Sequence, residues 1–223
     1  MADYSKPDHW SVKAQKEGYP ARSVYKFSEM DEKFGLLKPV NVRSGRTFRA
    51  LDLGASPGSW SLYILRKFFG RPGSSGAEIG GISSSGFTLV SVDLSPLSRQ
   101  HDQGLFDKPG FNFIQGDFTS AEIRETILSY SPYNLIISDA APATTGIRQV
   151  DTLRSLDLAE TALMYAETSL IPGGNMITKV FQGGETGTLL KNMRSVFGSA
   201  KSFKPRACRP DSFEIYFLGL GKK

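Results

Sequence analysis

Residues 51–60, with the sequence LDLGASPGSW, decide the fold, because they join a predicted strand to a predicted helix through a glycine-containing turn. The apolar run 47–53 predicts a buried parallel strand, and residues 61–69 predict a helix. A strand, a tight turn and a helix form the first half of a nucleotide-binding βαβ unit. Small residues in the turn let a ligand approach the backbone, and the helix N-terminus supplies free N–H donors. The stretch therefore predicts a ligand site at this turn.

The turn favours a cationic ligand over a phosphate. The dinucleotide fingerprint G-x-G-x-x-G is absent, because Ser56 stands at the second glycine position and Pro57 follows it. Asp52, two residues before Gly54, would repel an anion. It suits a cationic or zwitterionic ligand, and the sulfonium and amino groups of S-adenosylmethionine fit that description. The alternative is a purely structural βα turn in which Asp52 caps loop amides.

The rest of the chain predicts one open, doubly wound α/β sheet, because apolar strands alternate with helical segments. At 223 residues a single domain is expected, with an N-terminal arm and helix in 1–46 and the core in 47–223. Glycine and serine dominate 70–87, which predicts a surface loop without chemistry. Further strands are predicted at 87–92, 111–115, 134–138, 175–181 and 213–220, and further helices at 23–34, 119–130, 150–169 and 185–197.

Charge is distributed unevenly along the chain. The net charge is +5, with +4 in residues 1–49, +6 in 191–223 and −5 between them. In a compact domain the two basic ends could form one positive surface for a polyanion, although two solvated lysine-rich faces explain the charge equally well. The lone Cys208, with no signal sequence or apolar span, predicts a cytoplasmic protein without disulfides or a membrane segment.

Three aspartates follow predicted strands, at the edge where sheets of this class bind ligands. Asp93 suits a ribose diol, with a turn or helix cap as the alternative. Asp117 suits an adenine amino group, with a cap for the helix 119–130 as the alternative. Asp139 ends the strand 134–138. The pattern therefore predicts a carboxylate-lined cleft without deciding each residue's role.

Lys179 is the most unusual residue, because it stands inside the apolar strand 175–181. A lysine in a core strand is costly unless it is paired or near an opening. A catalytic lysine explains it, since burial favours the neutral amine that can act as a base, and an edge strand is the plain alternative. Lys26, on the flank of a helix, and Glu214, in the last strand, are each interpreted as solvent-facing when taken alone.

Taken together, the motifs resemble the FtsJ/RrmJ-type ribose 2′-O-methyltransferases over nearly the whole chain. Each block is moderately specific, and all of them in order are very specific. Cys208 departs from the family, which usually has serine there, and the loop 70–87 is longer than usual. The resemblance is carried by 18–26 (GYPARSVYK), 52–60 (DLGASPGSW), 138–142 (SDAAP), 179–183 (KVFQG) and the tail 204–216.

The resemblance implies a Rossmann-like, mostly parallel seven-stranded sheet with the last strand antiparallel, and S-adenosylmethionine as cofactor. It implies a catalytic tetrad of Lys26, Asp139, Lys179 and Glu214. The implied cofactor-binding residues are Asp52, Gly54, Pro57, Gly58, Trp60, Asp93, Asp117 and Asp139. The candidate RNA-backbone contacts are Arg22, Lys201, Lys204, Arg206 and Arg209.

The compact chain looks most like the member that methylates a uridine of large-subunit ribosomal RNA, in the assembled subunit or a late precursor. The implied partner is therefore the large ribosomal subunit, with a monomer expected and no metal. The alternatives are a tRNA anticodon-loop 2′-O-methyltransferase and a non-catalytic RNA-binding ribosome-assembly factor of the same fold. The intact tetrad and cofactor turn argue against the last of these.

Overall fold

The computed structural model describes residues 8–37, 48–70, 86–184 and 186–223. The predicted glycine- and serine-rich loop 70–87 falls mostly outside the described residues, as does the first residue of the strand predicted at 47–53. No helix within the described ranges is long and apolar enough to cross a membrane.

Seven strands form one sheet in the described part of the chain, in the order β3-β2-β1-β4-β5-β7-β6. Strands β1 to β5 are parallel, and β7 runs antiparallel to both of its neighbours. The predicted open, mostly parallel sheet with an antiparallel last strand is therefore confirmed. The elements are α1 (His9–Lys16), α2 (Val24–Phe34), β1 (Phe48–Leu53), α3 (Ser59–Phe69), β2 (Phe87–Asp93), β3 (Phe111–Gln115), α4 (Ala121–Ser129), β4 (Tyr133–Ser138), α5 (Arg148–Ser169), β5 (Leu170–Phe181), α6 (Thr186–Val196), β6 (Phe197–Phe203) and β7 (Glu214–Lys222).

The chain direction across the sheet reverses at β1. Strands β2 and β3 extend away from it on one side, and β4 then pairs with it on the other. In open sheets of this kind, the crevice beyond the carboxyl ends of the strands at such a reversal is where ligands bind. The turn after β1 and the segment after β4 therefore flank the expected ligand position.

Gly54 lets these two segments touch. Its φ of +74° is unfavourable for residues with a side chain, and a Cβ on it would lie 2.5 Å from the Cα of Ala140. The turn after β1 consequently packs directly against the chain that leaves β4. Gly54 is thus needed both for the bend and for the close approach of two backbones.

Two apolar cores lie on the two faces of the sheet. The core under α2 and α3 contains Phe27, Trp60 and Tyr216, while the core under α5 and α6 contains Leu163 and Leu189. The ring of Phe27 stacks on that of Trp60 at 4.9 Å, which joins α2 to α3. The amphipathic pattern of the helices therefore decides which face each of them covers.

Several local boundaries differ from the predicted ones, and the largest difference is in β5, which begins at Leu170 rather than at 175. Helix α3 begins at Ser59 rather than at 61, because Gly58 takes a φ of 106° and its carbonyl accepts the first helical bond, from Leu62. Ser23 precedes α2 but makes no side-chain cap hydrogen bond. The basic tail begins with an unpredicted strand, β6, whose mostly exposed side chains are typical of a polar edge strand.

Candidate active site

A cleft of about 630 Å³ opens at the carboxyl ends of β1 to β4. Its volume is within the range of small-molecule sites. Four of the predicted cofactor-binding residues line it, namely Gly54, Asp93, Asp117 and Asp139. The structure therefore brings the three aspartates of the strand ends into one cavity, together with the backbone of the glycine turn.

Asp93 and Asp117 also order their own surroundings. Asp93 accepts one hydrogen bond from the Ser56 amide at 2.9 Å and another from the Ser95 amide at 2.8 Å, so it fixes the glycine turn against the end of β2. Asp117 accepts from the amide and hydroxyl of Thr119 at 2.8 and 2.7 Å. It is not the cap of α4, because Ser120 fills that position.

The other four predicted cofactor-binding residues, Asp52, Pro57, Gly58 and Trp60, do not line the cleft. Trp60 is 2% exposed, and its indole N–H donates to the carbonyl of Ser23 at 2.8 Å. The side chain thus links α3 to the start of α2. Gly58 faces the ring of Phe106, which would be 2.9 Å from a Cβ placed on it.

Asp52 is fully buried beneath the turn. Its Oδ2 accepts a 2.6 Å hydrogen bond from the Ser61 hydroxyl, and Oδ1 has no partner among the described residues. Burial raises its pKa to about 7, although the bond from Ser61 works against this. Asp52 therefore ties β1 to α3 instead of facing a ligand.

The four tetrad residues form two ion pairs in contact with a shared tyrosine. Lys26 Nζ lies 2.7 Å from Glu214 Oε1, and Lys179 Nζ lies 3.0 Å from Asp139 Oδ1. Lys179 also donates to the main-chain carbonyl of Asp139. All four side chains are at most 16% exposed. The structure thus assembles α2, the end of β4, β5 and the start of β7 into one polar cluster.

The structure excludes the edge-strand alternative for Lys179 and the solvent-facing interpretations of Lys26 and Glu214. Lys179 is not on an edge strand, because β5 lies between β4 and β7. Glu214 and Lys26 do not face solvent, since the Glu214 face of β7 packs toward α2 and α3. Strand alternation predicts which residues share a face, but it does not show which face another element covers.

Tyr216 is the site residue to which sequence reasoning gave no role of its own. Its hydroxyl donates to Asp139 Oδ1 at 2.7 Å, and its ring lies 5.9 Å from Lys26 Nζ. It pairs directly with Lys179 across β5 and β7. The available signal was its spacing, because it stands two residues after Glu214 and so shares that face of the strand.

The cluster holds fixed opposite charges. Burial alone would raise the pKa of Asp139, but Lys179 and Lys26 outweigh it and hold that pKa below its usual value. Burial would likewise lower the pKa of Lys26, but Asp139 and Glu214 outweigh it and raise that pKa. Asp139 is therefore a carboxylate and Lys26 an ammonium group at neutral pH.

A second cavity of about 550 Å³, the basic groove, is lined by other residues of the tetrad than the cleft. Asp139 lines the cleft, whereas the charged residues that line the groove are Arg22, Lys26, Arg209, Asp211 and Glu214. The other candidate RNA contacts lie outside it. Lys204 donates to the Ser212 carbonyl at 2.6 Å, Arg206 pairs with Glu29 at 3.3 Å, and Lys201 lies 5.7 Å from the ring of Phe34.

A family model matches most of the chain. The family model described as FtsJ-like methyltransferase matches residues 19–222. The chain belongs to the FtsJ-like methyltransferase family. FtsJ-like methyltransferases use S-adenosylmethionine as the methyl donor. The family resemblance that the sequence motifs indicated is thereby confirmed, and so is S-adenosylmethionine as the cofactor.

Curated relatives of this FtsJ-like chain carry one common name. A protein of Treponema denticola called ribosomal RNA large subunit methyltransferase E is 44% identical over 220 residues, which covers 99% of this chain and 97% of the relative. A Treponema pallidum protein of the same name is 38% identical and covers 98% of this chain and 95% of the relative. The similarity therefore extends over nearly the whole length of this chain and of each relative.

Solved structures share the fold of this FtsJ-like methyltransferase. A Plasmodium falciparum protein titled as a ribosomal RNA methyltransferase matches with a TM-score of 0.66 and 24% identity, over 92% of this chain and 98% of that one. Human methyltransferase-like protein 13, solved in complex with SAH, matches with a TM-score of 0.51 and 12% identity, over 78% and 72% of the two chains. Both show the Rossmann-like architecture.

Proposed function

We propose that this enzyme transfers a methyl group from S-adenosylmethionine to a ribose 2′-hydroxyl, on a uridine of large-subunit ribosomal RNA. The observation that carries the proposal is the position of the tetrad between two cavities. Asp139 lines the cleft and Lys26 and Glu214 line the basic groove. A group on the cleft side and a nucleotide on the groove side would therefore meet at the tetrad, where Lys179 contacts Asp139. The name shared by the curated relatives supports ribosomal RNA as the substrate.

The residues of the cleft fit the cofactor. Gly54 has no side chain where the backbone must be approached, and a Cβ there would meet Ala140 at 2.5 Å. Asp93 and Asp117 would hold the ribose hydroxyls and the adenine amino group, and Asp139 would face the positive charge. When bound, S-adenosylmethionine supplies a methyl group already activated by the sulfonium.

Each member of the tetrad then has a distinct role. Lys179 would accept the proton of the 2′-hydroxyl at Nζ, which requires the neutral amine at that moment. Asp139 orients Lys179 through the 3.0 Å contact and through its main-chain carbonyl. Lys26, held as a cation by Glu214 at 2.7 Å, would bind the phosphate or hydroxyl of the nucleotide. Positioning of this kind is worth about 7–11 kcal/mol in well-oriented model reactions.

The basic groove would receive the RNA backbone. Arg22 and Arg209 lie in its wall, beside the tetrad. Lys201, Lys204 and Arg206 extend the positive surface along β6 and the loop that follows it. A substrate of this kind implies a cytoplasmic enzyme that docks on the large ribosomal subunit, and a monomer suits such docking.

The test is the transfer of labelled methyl groups from S-adenosylmethionine to unmethylated large ribosomal subunits, total tRNA and capped mRNA. Wild type, Lys179→Ala and Lys179→Arg would be compared. Arginine keeps the positive charge beside Asp139 but does not release its proton, so both variants should lose at least about a hundredfold in turnover. Binding of S-adenosylhomocysteine, measured by calorimetry, should remain in both.

Label at a 2′-O position of the ribosomal RNA, lost in both variants, would support the proposal. Label in tRNA would retain the chemistry and change the substrate. Near-normal turnover by Lys179→Arg would show that Lys179 is not the base. Cofactor binding without transfer to any pool would favour the assembly-factor alternative.

A further inference from the structure

An acidic side chain stands between two arginines at one end of the basic groove. Asp8 pairs through Oδ2 with the guanidinium of Arg22, and the same oxygen lies 3.9 Å from Arg209 Nε. Its other oxygen, Oδ1, accepts a 2.8 Å hydrogen bond from the Ser11 amide and caps α1. One carboxylate therefore orders the first turn of α1 and faces two of the cations predicted to bind RNA.

The fold holds these two cations near each other independently of Asp8. Arg22 also donates to the main-chain carbonyl of Ala207, which lies in the loop that carries Arg209. The pKa of Arg22 is lowered from its usual value, first by burial and then by the positive charge of Arg209. Two like charges within range of mutual repulsion favour an anion placed between them.

The space between Arg22 and Arg209 suits a phosphate of the RNA substrate. In RNA, every internal ribose is joined to a phosphate on each side. A ribose whose 2′-hydroxyl reached Lys179 would therefore have a phosphate close to the groove that Arg22 and Arg209 line together with Lys26. Guanidinium groups match the geometry of phosphate oxygens, and charge-assisted bonds of this type are strong.

We propose that Arg22 and Arg209 form a subsite for one phosphate of the RNA, and that the carboxylate of Asp8 occupies this subsite until RNA displaces it. This inference rests on the proposed function, because the phosphate belongs to the RNA substrate. It makes Asp8 a competitor of the RNA. If Asp8 were only a structural anchor for α1, its charge would not oppose RNA binding.

The test is the substitution Asp8→Asn. Asparagine caps helices as well as aspartate does, so α1 should keep its cap from Ser11 while the competing charge is removed. We expect a short, fluorescein-labelled oligouridylate to bind roughly two- to fivefold more tightly, the range that a partly exposed ion pair contributes. Fluorescence anisotropy at several salt concentrations would measure the affinity for this oligouridylate.

Salt dependence provides the second readout. With Asp8 replaced, the two arginines would attract a counterion from solution, and RNA would release that ion on binding. The slope of the logarithm of the association constant against the logarithm of the salt concentration should therefore become more negative by ~0.7. Arg209→Gln should make the slope shallower, and Asp8→Asn should give no gain in the Arg209→Gln background. The control is Glu125→Gln, an exposed position on α4 with the same change in net charge.

Unchanged or weaker RNA binding by a folded Asp8→Asn variant would overturn the subsite. Should that variant not fold, an unchanged salt slope in Arg209→Gln would overturn it as well. The proposed function fails separately. If wild type methylates ribosomal RNA while Asp8→Asn has no effect, only the subsite is wrong, whereas a wild type that neither binds oligouridylate nor transfers methyl groups contradicts both.

Discussion

At the scale of single residues, Asp52 is the clearest mismatch between a side chain and its surroundings. The carboxyl group is fully buried, and one of its oxygens has no partner among the described residues. Burial raises its pKa to about 7 in the folded chain, against 3.8 when it is exposed to water. In the pH range between these values the folded state holds a proton that the unfolded state has released.

The pKa difference of Asp52 between the folded and unfolded states decides how stability changes with pH. As pH rises from about 4 to about 7, wild type should lose up to about 4 kcal/mol of unfolding free energy through Asp52. Asp52→Asn cannot ionise and still accepts the hydrogen bond from Ser61, so it should lack this loss. We expect the stability of Asp52→Asn relative to wild type to increase with pH, as measured by urea unfolding across this range.

Glu125→Gln serves as a control for a carboxyl group removed at the surface. Parallel pH profiles for wild type and Asp52→Asn would show that the buried carboxyl group does not carry a proton at neutral pH.

Tyr216 is a positioning residue in the proposed mechanism, because it contacts Asp139 and Lys26 rather than the substrate. Its hydroxyl helps to hold the pKa of Asp139 below the usual value, after Lys179 and Lys26. In Tyr216→Phe that pKa should rise, so any loss of turnover caused by protonation of Asp139 should begin at a higher pH than in wild type. Methyl transfer measured from acid to neutral pH would show the shift.

Tyr133→Phe is a matched control, because Tyr133 is equally buried and donates to the Ile127 carbonyl, away from the tetrad. If Tyr216→Phe lowered turnover equally at every pH, the hydroxyl would not act through the charge of Asp139.

At the scale of elements, the contact between the turn after β1 and the end of β4 shapes the cleft. Gly54→Ala would place a methyl group 2.5 Å from the Cα of Ala140, and neither backbone can yield without moving its strand. We expect a loss of several degrees in Tm and at least tenfold weaker binding of S-adenosylhomocysteine, measured by thermal melting and calorimetry.

Gly104→Ala separates the strain of a positive φ from the clash with a neighbouring backbone. Gly104 has a φ of +77°, close to the +74° of Gly54, but nothing lies within 4 Å of its Cβ position. It should therefore lose stability without losing cofactor affinity. Equal effects of both substitutions on affinity would contradict a role for the β1–β4 contact.

The elements themselves were largely predictable. Apolar runs located β1 to β5 and β7, because a buried parallel strand needs apolar side chains on both of its faces. Strand β6 was missed, since its glycine, serine and lysine residues carry no such pattern and only pairing with β7 makes it a strand. The burial of Glu214 was missed for a related reason, because the covering helix α2 lies far away in the sequence.

At the scale of the whole molecule, motif order predicted the four tetrad residues, but the charges that surround them depend on distances. The pairing of Lys26 with Glu214, and of Lys179 with Asp139, follows from the packing of four elements that are separated along the chain. Trp60 shows that a residue of a motif can have a structural position in the core. It belongs to the cofactor motif, yet it packs in the core and fastens α3 to α2, because its indole finds both an aromatic partner and a carbonyl there.

The place of β7 bears on how the protein matures during synthesis. This strand is made after β5 and β6, and it enters the sheet between them. Until it emerges, β5 presents an open edge and Lys26 has no Glu214 to pair with. Translation must therefore pass β7 before the seven-stranded sheet and the proposed catalytic centre can form, and both are completed by the same few residues.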